Sequence, residues 1–144
     1  MSLFPLTPNP SPARGEGDKS LNELTEIADK LLIGQYHRHV FLCIGDACCT
    51  SEEGEKSWVA LKDELKRQNL SLSTGPAACY RTKVKCLRVC KGGPIAVVYP
   101  EGTYYAGLTA DRIPRFVQEH LIDNRPIEEW IFARNPLPSR AVTS

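Results

Sequence analysis

No run in this chain approaches the roughly 20 apolar residues that crossing a bilayer as a helix requires, which argues against a membrane protein. Nor does charge of one sign prevail. Lys plus Arg is 18 and Asp plus Glu is 17, a net charge of +1, so nothing draws the whole molecule toward nucleic acid or an anionic surface. The first residues, Met-Ser-Leu-Phe-Pro, lack the basic and apolar stretches of a secretory signal. There is no Cys-x-x-Cys, which a thiol–disulfide oxidoreductase would place at a helix N-terminus. Gly-x-Ser-x-Gly and a Gly-rich phosphate loop are missing too, which removes the usual signals of a hydrolase or nucleotide enzyme. Against these absences stand six cysteines in 144 residues.

Without an export signal, the expectation is a cytoplasmic, reducing environment, where thiols serve as metal or cluster ligands more readily than as disulfides. Pro5, Pro8, Pro10 and Pro12, with Ser, Asn and Gly between them, predict a disordered extension over residues 1–19. The remainder, 20–144, has the size of one ordinary domain.

Ser20-Leu-Asn-Glu23 has the form of a capping box. Leu24, Ile27, Ala28 and Leu31 follow at helical spacing, and Gly34 supplies a stop. Residues 40–44 read as a strand. Thr50-Ser-Glu-Glu53 is a second capping box, opening a helix with Trp58, Leu61 and Leu65 on one face and the pairs Glu52–Lys56 and Asp63–Arg67 on the other. Gly54 in its first turn predicts a close backbone approach. Short strands are expected at 70–73 and 81–85, a buried one at 95–99, and its hairpin partner at 103–106. Thr109 opens a helix with Ile113, Phe116, Val117, His120 and Leu121 on one face, its start kinked or delayed by Pro114. Ile127, Trp130 and Ile131 form a docking segment. His120 reads as a hydrogen-bonded core histidine, His37 and His39 as surface groups, and Trp58, Trp130 and Tyr99 as core. The order of elements is α/β, with helices covering a small mixed sheet.

The cysteines fall into two pairs, Cys43-Ile-Gly-Asp-Ala-Cys48 and Cys86-Leu-Arg-Val-Cys90, with 37 residues between them. Cys49 adjoins the first pair and reads, like the isolated Cys79, as a small hydrophobe. Four thiolates at element ends suit either a [2Fe–2S] cluster or a structural zinc. The cluster with four thiolates is an anion that gains charge on reduction, and it needs backbone N–H donors and nearby cations. Gly45, Gly92 and Gly93 admit close amides. Arg81, Lys83, Lys85, Arg88 and Lys91 supply positive charge in a stretch with no acid, a candidate docking face for an acidic partner. Zinc on four thiolates would welcome the same cations, so spacing and charge leave both open.

The stretch His39-Val-Phe-Leu-Cys43 with Cys48, then Cys86-Leu-Arg-Val-Cys90-Lys-Gly-Gly-Pro94-Ile-Ala-Val-Val-Tyr99-Pro-Glu-Gly102, resembles the thioredoxin-like [2Fe–2S] ferredoxins. It is also similar to the small cluster-bearing subunit of bacterial NADH dehydrogenases and related hydrogenases. The resemblance implies a thioredoxin-like fold and a [2Fe–2S] cluster near solvent. It further implies one-electron transfer on behalf of redox enzymes, without catalysis by the chain itself, and commonly a homodimer. Cys43, Cys86 and Cys90 match the family's ligands directly and Cys48 matches by its spacing. Gly54 falls later than the corresponding glycine of many relatives, which keeps Cys49 as the alternative to Cys48.

Overall fold

Alternation along a short apolar strand organises the molecule. The computed structural model describes residues 19–45, 49–89 and 91–137, and the chain divides into two compact units, 1–34 and 35–144. The extension expected over 1–19 lies outside the described residues except for Lys19. In the first unit, helix α1 runs Lys19–Lys30. Ser20 is thus its second residue rather than its cap, and the expected capping box is not where the helix starts. Leu32 at φ 58° and Gly34 at φ 106° follow the helix, so the chain turns where a stop was expected.

In the second unit, β1 (Arg38–Cys43), β2 (Cys79–Val84), β3 (Ala96–Tyr99), β4 (Thr103–Tyr105) and β5 (Ile131–Arg134) form one mixed sheet in the order β2-β1-β3-β4-β5. β1 pairs in parallel with β2 and antiparallel with β3; β3–β4 and β4–β5 are antiparallel. A parallel neighbour needs a crossover, and helix α2 (Ser51–Arg67) lies between β1 and β2 in the chain. Val40 opposes Val98 and Leu42 opposes Ala96, so the even residues of β1 share one face with Cys79, Thr103 and Tyr105. That face is buried together with Leu61 and Leu65 of α2 and with Ile113, Phe116 and Val117.

Thr50 caps α2 through a complete capping box, Glu53 N–H to Thr50 Oγ1 at 3.1 Å and Thr50 N–H to Glu53 Oε1 at 3.4 Å. Glu52 and Glu53 in its first turn and Lys66 and Arg67 in its last complement the helix dipole. Lys56 pairs with Glu52 as expected, whereas Arg67 pairs with Glu64 rather than Asp63. The strand expected at 70–73 is absent. Those residues form a turn, with Asn69 and Leu72 in the left-handed region and Leu70 N–H bonded to Leu65 O. Pro114 delays the α-helix. A 3-10 turn (Ala110–Arg112) precedes α3 (Ile113–Phe116), leaving Pro114 in the first turn, where its missing N–H costs nothing. A π-helical segment, Val117–Ile122, continues from α3.

His120 is the core histidine expected, fully buried. The Ile127 N–H donates to Tyr105 Oη at 3.1 Å, and the Tyr105 hydroxyl shares a 2.6 Å hydrogen bond with His120 Nδ1. His120 Nε2 then faces Glu101 Oε1 at 3.7 Å. Burial pushes the imidazole down to about 4, so it stays neutral near pH 7. Burial alone would raise Glu101, but the hydrogen bond from Arg38 outweighs it with other favourable contacts and holds the carboxyl below its usual range. This chain of groups ties β1, β4 and the segment after α3 into one block.

Candidate metal centre

β1 and β2 run in parallel with Cys43 opposite Val84, so both strands end at the same edge of the sheet and their following loops leave side by side. This is how Cys43 and Cys86, remote in sequence, come to stand at adjoining segments of chain. Cys43 is the last residue of β1 and is 3% exposed, in a small apolar cluster with Ile95 against which Val84, Leu87, Val89 and Tyr104 pack. Its Sγ lies 3.7 Å from the Lys85 carbonyl oxygen. Cys86, the next residue along that loop, is exposed. The Ile44 N–H donates to Val84 O at 2.9 Å, extending the ladder into the loops.

Gly45 makes this junction sterically feasible. A Cβ built on it would stand 1.9 Å from the Lys85 carbonyl oxygen, closer than any real contact. Only a residue without a side chain lets the backbones of the two loops cross there. The close approach expected at Gly54 is also present: a Cβ on it would lie 3.0 Å from both Cα and Cβ of Ile44 and 3.4 Å from Cys49 Sγ. It seats the first turn of α2 against the end of β1. After Cys90, Gly92 at φ 74° turns the chain, and Gly107 N–H and Leu108 N–H donate to the carbonyls of Gly92 and Pro94 at 2.7 and 2.9 Å.

Of the four expected ligands, Cys43 ends β1 and Cys86 stands in the adjoining loop, while Cys48 and Cys90 lie outside the described residues. Among the described residues no group of three or more His, Cys, Asp or Glu is arranged to hold a metal ion. What is described suits a thiolate-bound group: one buried and one exposed thiol on crossing loops, and a backbone N–H, that of Arg88, donating to Cys86 Sγ at 3.1 Å.

No family model matches the chain. A solved structure, a thioredoxin-like [2Fe–2S] ferredoxin from Aquifex aeolicus, superposes with a TM-score of 0.59 at 23% identity, covering 72% of this chain and 97% of that one. The fold is thioredoxin-like. Among curated proteins, a 2Fe-2S ferredoxin of Aquifex aeolicus is 24% identical over 104 residues, 70% of this chain and 94% of its own length. A protein of Priestia megaterium described in the same terms is 32% identical over 91 residues, covering 63% and 66% of the two chains. A 2Fe-2S ferredoxin of Clostridium pasteurianum is 29% identical over 90 residues, 58% and 83% of the two. This chain is similar in sequence to 2Fe-2S ferredoxins and shares the fold of a thioredoxin-like one.

The remaining candidate residues sort cleanly. Cys79 starts β2, whereas the loop carrying Cys86 leaves its other end, about 16 Å away by strand rise. Cys79 is 2% exposed, and burial pushes its thiol up to about 12, as befits a small hydrophobe. Cys49 is half-buried, its Sγ 4.0 Å from Gly45 O. His39 is no bare surface group: Nε2 lies 2.7 Å from Thr82 Oγ1, its ring stacks on Phe41 at 4.0 Å, and burial lowers its pKa.

The five cations do not share one face. β2 pairs Val40 with Arg81 and Leu42 with Lys83, so both basic side chains share the helix-covered face. Arg81 and Lys83 lie over the Trp58 ring at 5.5 and 5.8 Å, and Lys83 pairs with Glu55 at 3.3 Å. Lys85, Arg88 and Lys91 flank the cysteine loop, exposed, and none forms an ion pair with another described residue. Sequence reasoning grouped all five because a charge run does not reveal which side of a strand each residue occupies. It missed the conformation of Arg88 altogether, since nothing in Leu-Arg-Val signals a left-handed residue.

Proposed function

We propose that the chain is a one-electron carrier holding a [2Fe–2S] cluster on Cys43, Cys48, Cys86 and Cys90. The observation that carries this reading is the crossing at Gly45 and Lys85, which brings the two cysteine loops together at one sheet edge. When bound, the cluster supplies a one-electron couple whose potential follows its charge, hydrogen bonds and exposure. The protein's part is positional. The Cys43 side is sealed by apolar side chains, while the Cys86 side faces solvent and offers the short path for an electron to a partner. The chain itself performs no bond-making step and serves redox enzymes. A cytoplasmic location and a homodimer belong to the same reading; among the described residues no helix is long and apolar enough to cross a membrane.

Colour and composition test the reading. Anaerobically purified protein is expected to be red-brown, with iron and acid-labile sulfide near two each per chain, as the cluster type requires. A colourless chain holding one zinc would overturn it in favour of a structural zinc module.

Lys85, Arg88 and Lys91 form the part of the basic stretch suited to docking an acidic redox partner. Electron transfer to such a partner is expected to slow as ionic strength rises, and to slow again in the Lys85→Glu/Lys91→Glu variant. Lys83→Glu is expected to have a weaker effect, because Lys83 is already engaged with Glu55 and Trp58. Rates indifferent to salt and to both changes would remove the docking face.

A further inference from the structure

Arg88 sits in the middle of the Cys86–Cys90 loop at φ 70°, in the left-handed region that L residues other than Gly, Asn and Asp rarely adopt. The same loop is followed by two glycines, Gly92 and Gly93, so residues free to take such a conformation stand close by but not at this position. The consequence is visible at the sulfur. With Arg88 left-handed, its backbone N–H donates to Cys86 Sγ at 3.1 Å. The Arg88 side chain is exposed, so the hydrogen bond and the guanidinium charge are separable contributions.

We propose that Arg88 is a potential-setting residue, its left-handed backbone holding an N–H on the Cys86 sulfur so that the added electron is stabilised. This rests on the reading of Cys86 as a cluster ligand. A donor on a ligating sulfur withdraws electron density, and the benefit is greater in the reduced state, where the sulfur carries more negative charge. The bond therefore raises the reduction potential. The exposed guanidinium acts in the same direction through space and is weakened by salt.

Three variants of the full chain separate the two contributions. Arg88→Asn removes the charge but keeps a residue tolerant of the left-handed region, and Arg88→Gly does the same without a side chain. Arg88→Val also removes the charge, and its branched side chain disfavours the conformation that aims the N–H. Potentials measured by titration at fixed salt are expected to agree for R88N and R88G. R88V is expected to be about tenfold harder to reduce than R88N, ~59 mV lower for a one-electron couple. A second readout is independent of that variant's loading. In the wild-type protein, exchange into deuterium oxide is expected to shift the iron–sulfur(cysteine) vibrations, and R88N is expected to keep the shift. Equal potentials in R88N and R88V, or a wild type with no deuterium shift, would overturn the role of Arg88 while leaving the electron-carrier reading intact. A wild-type chain without iron and sulfide would overturn that reading, and this inference with it.

Discussion

Cys86→Ser is expected to purify with its cluster lost or severely perturbed, while Cys79→Ala keeps a normal one. The two cysteines belong to the same stretch of chain, yet their surroundings are opposite. Cys86 is exposed on the loop beside Cys43, with a backbone N–H already directed at its sulfur. Serine there replaces a soft thiolate by a hard oxygen donor, a poorer match for iron in a sulfide core. Cys79 is buried at the far end of β2, and its raised thiol pKa keeps it protonated and inert. Truncating it removes one buried group and costs about 1 kcal/mol of stability, without touching the centre. The measurement is iron and sulfide per folded chain together with the visible spectrum. A wild-type spectrum from the Cys86 variant would sink the ligand assignment. Cys49→Ser, run alongside, decides between Cys48 and its neighbour: a preserved cluster keeps Cys48 as the ligand.

Gly45→Ala is expected to lower cluster loading tenfold or more although no ligand is altered. The new methyl would stand 1.9 Å from the Lys85 carbonyl oxygen, and the obstructing atom is backbone, not the far end of a flexible side chain. The two segments must therefore separate, and they directly follow Cys43 and precede Cys86. Overpacking of this kind costs about 1–3 kcal/mol, small enough for the sheet and α2 to survive and large enough to spoil the proposed thiolate site. Gly75→Ala is the control, since a Cβ there meets only Ser73 Oγ at an ordinary 3.5 Å. Unchanged iron content in the Gly45 variant, with circular dichroism showing a folded chain in both, would mean the crossing does not govern assembly.

How much of this was legible in the sequence follows from what each signal depends on. The Thr50 capping box was readable because it involves four consecutive residues and needs nothing else. Ser20-Leu-Asn-Glu23 has the same form, but α1 begins one residue before Ser20. From sequence alone, β5 reads only as part of a docking segment. Three of its four residues are exposed, so it shows no alternation, and it exists through pairing with β4 across a register shift at Tyr104/Tyr105. Residues 70–73 carried a strand-like pattern, but left-handed Asn69 and Leu72 make them the turn that ends α2.

For the centre, the residue types alone decided the chemistry on offer. Two close cysteine pairs, glycines beside them and a run of cations are properties of the chain at short range, and thiolate affinity for iron or zinc is a property of the side chain. That Cys43 and Cys86 stand at adjoining segments was decided only by the tertiary structure. Parallel pairing of β1 with β2 aligns their ends across a helical crossover, and hydrogen bonds between strands distant in sequence leave no mark in local composition. The same pairing turned Arg81 and Lys83 toward Trp58 and left Lys85, Arg88 and Lys91 beside Cys86. Which face a residue takes depends on the register with its neighbour, and a charge count holds no information about register.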